Sequence, residues 1–197
     1  MPNRGMTLIE LMAALAVGAV LTGLSLAGFS SSITRGREGA AIDSVGQLAS
    51  EARTRARKYR QPVRLKVTTL GTTRTMRWER LACADSWGSA CPSVACAGSA
   101  CGVGGCVCPE ASEPLELPAG LVLPAALDGL CFSAGSGVPR AVSAGKFCDV
   151  AAAPMAPGAL TFSAGPGVSQ VLELEPLTGA GRMVDCRSGF KDPALCP

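Results

Sequence analysis

The chain turns apolar almost at once. After Met-Pro-Asn-Arg-Gly, residues 6–29 (MTLIELMAALAVGAVLTGLSLAGF) carry a single charge, Glu10. At about 1.5 Å per residue a helix of that length reaches about 36 Å, enough to cross a bilayer core of about 30 Å. Further on, Val45, Leu48, Ala49, Ala52, Ala56 and Tyr59 recur at steps of three and four, the spacing of one helical face. Glu51 and Arg55 add a favourable i,i+4 pair. Gln61-Pro62 closes the pattern, because a residue before proline avoids the helical region. The pattern predicts one helix of about 50 residues, with a bend or break invited near residues 36–39 by Gly36, Gly39 and Gly46.

The period changes from 3.6 to two after Pro62. Val63, Leu65 and Val67 alternate with Arg64, Lys66 and Thr68, which predicts a half-buried strand. Gly71-Thr72-Thr73 marks a turn, and a second strand follows at 74–81 with Met76 and Trp78 on one face. Shorter strand-like runs lie at 115–117, 121–123, 130–133, 160–163, 171–175 and 182–186. Phe132-Ser-Ala-Gly-Ser-Gly-Val138 and Phe162-Ser-Ala-Gly-Pro-Gly-Val168 agree at six of seven positions. Each reads as a strand end entering a glycine turn. No helix signal follows either, so neither is a dinucleotide loop.

Composition narrows the function classes. With no histidine among 197 residues, there is no Ser–His or Cys–His nucleophile pair and no histidine metal ligand. Eight aromatics are too few for a base-stacking platform, and 48% hydrophobic against 17% charged residues excludes a disordered chain. Neither a catalytic set nor a cofactor site emerges, and the expectation is a protein that is not an enzyme. The net charge of +3 conceals a division: residues 35–80 hold twelve Lys/Arg against four Asp/Glu, and residues 81–197 hold five against ten. Arg53, Arg57 and Arg60 line one helical face, and Arg64 and Lys66 extend the basic run. They form a candidate contact surface for a neighbour's acidic residues or, less favoured, for the phosphates of DNA. Arg182 and Arg187 are further candidates for the same contact.

Ten cysteines in a chain this size point to an oxidising compartment. Six crowd into residues 83–108 with the spacing C-x7-C-x4-C-x4-C-x4-C-x-C. That spacing lacks the paired CxxC knuckles of a zinc site, so disulfides rather than a metal are expected. Arg4 precedes the apolar run, and Arg35 and Arg37 follow it, so the positive-inside rule does not orient the segment. The cysteines do: the domain that holds them belongs outside the cytoplasm.

Gly5-Met6-Thr7-Leu8-Ile9-Glu10-Leu11 resembles the type III (prepilin) signal of type IV pilins and type II secretion pseudopilins. That resemblance implies cleavage by a prepilin peptidase between Gly5 and Met6, N-methylation of Met6, and assembly roles for Thr7 and Glu10. The rationale for Glu10 is electrostatic: cleavage frees an ammonium group on Met6, and a neighbouring subunit's carboxylate neutralises it within an apolar helix bundle. The strand-rich part, with LELPAGLVL at 115–123 and the run from Leu177 to Arg182, resembles the C-terminal domain of the GspH/FimT group of minor pilins and minor pseudopilins. The cysteine-rich block departs from that pattern and reads as an insertion. Two local disulfides are suggested, Cys131 with Cys148 and Cys186 with Cys196, the latter similar to the carboxyl-terminal loop of many pilins.

The resemblance implies an α+β, pilin-like fold: a long N-terminal helix, half transmembrane and half amphipathic, packed on a C-terminal antiparallel β-sheet domain. The expected organisation is a leader at 1–5, a transmembrane and assembly helix at 6–29, an amphipathic helix at 30–61 and a β-rich head at 62–197, with the cysteine-rich insertion at 83–110. It implies a single-pass protein of the bacterial cytoplasmic membrane with its head outside, later part of a pilus or pseudopilus. Its partners would be other pilins or pseudopilins, the prepilin peptidase and the membrane. Two alternatives stay open. One is a DNA-binding minor pilin for uptake. The other is a secreted disulfide-rich protein cut at Ser25-Leu26-Ala27, against which Glu10 counts, since a carboxylate inside an apolar segment costs about 2.5 kcal/mol or more.

Overall fold

A computed structural model of the chain describes residues 8–80, 96, 99–141, 148, 155, 160–164, 168–186 and 196, without the side chains of 22, 24–31 and 168. The chain divides into two compact units, residues 1–37 and 38–197. Helix α1 spans Leu8–Tyr59, 52 residues with no interruption at the glycines near 36–39. Its first-turn acid is Glu10 and its last-turn bases are Arg57 and Lys58, both arranged to suit the helix dipole. The helix ends where Arg60 enters the left-handed region at φ 51°, the usual stop conformation, though glycine is its ordinary occupant.

In the unit from residue 38 onward, ten antiparallel strands form two sheets among the described residues. Strands β1 (Val63–Leu70) and β2 (Thr73–Arg80) make a hairpin. With β3 (Glu110–Ala111), β6 (Cys131–Phe132) and β7 (Pro139–Arg140) they give the order β3-β2-β1-β6-β7, and β4 (Leu115–Leu117) also pairs with β2. The second sheet runs β10 (Gly181–Asp185), β9 (Val168–Leu174), β8 (Thr161–Ala164), β5 (Leu121–Val122). Most of the short runs expected from alternation are strands here. The two-residue strands β3 and β7 had no periodic signal to reveal them, being too short to show a period.

One core joins the helix to both sheets. Ile42, Val45, Ala49, Ala52 and Ala56 are fully or almost fully buried against Val63, Leu65, Met76, Leu130 and Phe132 on one side and Leu160, Phe162, Leu172 and Leu174 on the other. The small side chains at 49, 52 and 56 let the strand layer lie close to the helix backbone, where packing is near crystal density. Met183 of β10 sits 3.4 Å from where a Cβ on Gly46 would be. Leu48 is only partly buried, and Tyr59 leaves the core face and lies at the surface.

The expected half-buried strand needs correction. In β1, Val63, Arg64, Leu65 and Lys66 are all buried. Val63 and Leu65 face the helix, while Arg64 between them meets Cys96 and Ser99 and Lys66 meets Asp128. A strand can alternate in polarity and still be covered on both faces, provided its polar face meets partners rather than water.

Candidate functional site

The first candidate is the stretch of α1 from residue 8 to residue 37, whose described large apolar residues stand exposed on every side. Leu8 is 80% exposed, and Ile9, Met12, Leu15, Val17, Val20 and Leu21 are at least half exposed. A helix apolar all round is expected to be covered by other helices or by lipid. Glu10 lies on this exposed stretch. Gly5, Met6 and Thr7 lie outside the described residues. Among the described residues no helix is long and apolar enough to cross a membrane.

The second candidate, the basic run, is divided by the fold into an outer and an inner part. Arg57 and Arg60 are exposed and Arg53 is half-buried. Arg53 Nε donates to Thr178 O at 2.7 Å, and the stems of Arg53 and Arg57 lie over Gly137 in the turn after Phe132. That turn also caps the helix, since Gly135 N–H donates to Ala56 O at 3.0 Å. Arg182 is exposed and pairs with Glu173; Arg187 lies outside the described residues.

Arg64 and Lys66, grouped by sequence with the candidate contact residues, are buried by the fold rather than presented at the surface. Arg64 has no exposed surface. Its Nε and Nη2 donate to Glu79 Oε2 at 3.0 and 2.8 Å, and its remaining N–H groups reach the carbonyls of Cys96 and Ser99. Lys66 is 6% exposed and its ammonium lies 3.2 Å from Asp128. The physical reason is register. The turn at Gly71-Thr72 sets Arg64 opposite Glu79 and Lys66 opposite Arg77, and a buried guanidinium is tolerated where a carboxylate and carbonyls satisfy it. The sequence did hold this signal: counting outward from the turn places Arg64 across from Glu79.

Glu79 was not singled out by sequence, yet it organises this face. It is fully buried and accepts from Arg64, from Arg77 Nε at 2.9 Å and from the Cys101 N–H at 2.7 Å. Nearby, Arg55 bridges Glu51 at 3.4 Å and Glu110 at 2.5 Å and lies 5.2 Å from the Trp78 ring centre. Burial works to lower the Arg55 pKa, but Glu110 first, then the hydrogen bond and charge of Glu51, outweigh it, so the net direction is up. Arg80 stacks 4.4 Å over Tyr59 and lies 3.2 Å from Glu110. The inner part of the basic segment thus ties strand to strand at Arg64 and helix to sheet at Arg55, while Arg57 and Arg60 remain at the surface.

Four disulfides lie among the described residues. Cys131 is bonded to Cys148 and Cys186 to Cys196, with Cα–Cα distances of 5.2 and 5.4 Å. In the cysteine-rich block Cys96 is bonded to Cys106 and Cys101 to Cys108, at 4.6 and 5.6 Å, all within the range such bridges require. Cys83 and Cys91 lie outside the described residues. Cys96, Cys106, Cys131 and Cys148 form a small buried cluster of their own beside Arg64. Among the described residues of the block, Cys96, Ser99 and Cys101 lie on the polar face of the β1–β2 hairpin, where they meet Arg64 and Glu79. Sulfurs bonded in pairs are not thiolates, the form that ligates a metal.

Residues 1–26 match the family model of the prokaryotic N-terminal methylation motif. No curated protein and no solved structure matches the chain. A methylation motif at residues 1–26, leading into a long helix that packs on antiparallel sheets bearing disulfides, fits a pilin-like protein of the type IV kind.

Proposed function

We propose that this chain is a structural subunit, a minor pilin or minor pseudopilin of the GspH/FimT kind, in a type IV pilus or a type II secretion filament. The observation that carries the reading is the methylation motif at residues 1–26, placed at the start of a helix whose large apolar residues are exposed on every side. Prepilin peptidase cuts between Gly5 and Met6 and methylates Met6. The apolar segment at 6–29 holds the subunit in the cytoplasmic membrane by a single pass, with the disulfide-bearing head outside. On assembly the segment exchanges lipid for the helices of neighbouring subunits. Glu10 then neutralises the Met6 ammonium of a neighbour, which sets the stagger between helices. No chemistry is assigned to the chain itself. DNA is the less favoured partner, since Arg64 and Lys66 are buried in ion pairs and Arg182 is paired with Glu173.

The intact mass of the chain purified from membranes tests this reading. Loss of residues 1–5 together with the gain of one methyl group is expected. A chain that begins at Gly28 would instead be an ordinary secreted protein, and the filament reading would fail.

A further inference from the structure

Two disulfides lie side by side on the segment that covers Arg64. The sulfurs of Cys106 and Cys108 are 3.9 Å apart although each is bonded to a different partner, and the sulfurs of Cys96, Cys106 and Cys108 all lie within 4.8 Å of one another. The two bridges differ in access. Cys96 and Cys106 are 3% and 1% exposed, whereas Cys101 and Cys108 are only partly buried. They also differ in electrostatics, because Arg64 Nη2 lies 3.9 Å from Cys106 Sγ. A guanidinium at that place favours the thiolate of Cys106 and makes it the better leaving group of the inner bridge.

We propose that these four cysteines form a thiol–disulfide exchange site, entered by an external thiol at Cys101–Cys108 and relayed to Cys96–Cys106. The external thiolate attacks Cys101 Sγ. A mixed disulfide to Cys101 forms, the Cys101–Cys108 bond breaks, and Cys108 leaves as a thiolate. Its side chain, no longer tethered, turns into line with the inner bridge and attacks Cys96. The Cys96–Cys108 bond forms, the Cys96–Cys106 bond breaks, and Cys106 leaves as a thiolate beside Arg64. The proton of the external thiol passes to solvent. Each bond broken is matched by one formed, so no separate oxidant or reductant enters. The exchange re-pairs the very segment whose carbonyls, at Cys96 and Ser99, accept from Arg64. A thiol signal at the surface thereby reaches the buried Arg64–Glu79 pair.

Glutathione is the probe. The oxidised full-length protein in detergent is exposed to it near neutral pH, quenched with acid, alkylated and digested with pepsin, because residues 81–139 contain no Lys or Arg for trypsin. Tandem mass spectrometry should find glutathione on Cys101, a bridge from Cys96 to Cys108, and the alkyl label on Cys106. Glutathione on Cys101 with the label on Cys108 and the Cys96–Cys106 bridge intact overturns the relay, and no adduct at Cys101 overturns the point of entry. A Cys106–Cys108 bridge with a free Cys96 keeps the relay but removes the part given to Arg64. The variant Cys101→Ser supplies a Cys108 thiol with no external reagent. Label recovered on Cys106 supports the exchange, and label confined to Cys108 refutes it.

Discussion

Arg64 and Glu79 face each other across β1 and β2 with both side chains fully buried, two guanidinium nitrogens lying 3.0 and 2.8 Å from one carboxylate oxygen. The pair sits on the sheet face opposite the helix. It is roofed by the segment that carries the Cys96–Cys106 bridge, whose carbonyls complete the Arg64 shell. A hairpin face that would otherwise be wet is thereby made into a second, polar interior.

Such a pair is costly to break and cheap to replace as a whole. Glu79→Gln leaves Arg64 and Arg77 without a counter-charge and should destabilise the head by about 3–5 kcal/mol. The double substitution Arg64→Met/Glu79→Leu should lose less than the sum of the two single changes, because it removes both buried charges. Urea unfolding of the detergent-solubilised chain measures both. Equal, additive losses would mean that the pair is not coupled.

The alanines of α1 set how close the strand layer lies. Ala52 has no exposed surface and is surrounded by the common core. Ala52→Leu adds three carbons where there is no room and should cost about 1–3 kcal/mol, although leucine is a good helix former. A gain in the unfolding midpoint would show that the helix–sheet contact is looser than described.

Two turn positions should respond in opposite directions. Gly137 has φ +68°, and a Cβ there would stand 2.9 Å from the Arg57 stem and 3.0 Å from that of Arg53. Gly137→Ala should therefore destabilise the head by about 1–2 kcal/mol. Arg60 already pays for a left-handed conformation at φ 51°, so Arg60→Gly should be neutral or stabilising by up to about 1 kcal/mol. The same unfolding curves decide, and a loss at Arg60→Gly would point to a contact of its side chain that outweighs the strain.

The role given to Glu10 separates insertion from assembly. Glu10→Ala removes a charge from an apolar helix and should leave membrane insertion intact or better. On the proposed pairing with the Met6 ammonium of a neighbour, the variant subunit should be missing from sheared filaments while still present in the membrane fraction. Normal amounts of the variant in filaments would remove Glu10 from the account.

Much of the architecture was legible because it rests on local periodicity. Steps of three and four along Val45, Ala49, Ala52 and Ala56 foretold the buried helical face, and Pro62 foretold its end within three residues of Tyr59. Alternation found β1 and β2, and a short segment around Gly5 and Glu10 was distinctive enough to suggest processing and assembly. Tyr59 shows where this reasoning stops: it falls on the right face by spacing, yet it lies beyond the sheet and stacks with Arg80 at the surface.

By itself, the sequence determined what depends on neighbours along the chain: the long helix, the hairpin, the oxidised head and the methylation motif. Only the tertiary structure decided which charges face water. Arg57 and Arg64 are indistinguishable as members of one basic run, but Arg57 is exposed and Arg64 is enclosed by Glu79 and by carbonyls more than thirty residues away in the chain. Burial of a charge is settled by the partners that folding delivers to it: the hairpin register points Arg64 to Glu79, but the carbonyls that complete its shell come from a disulfide-held segment that no local pattern can point to.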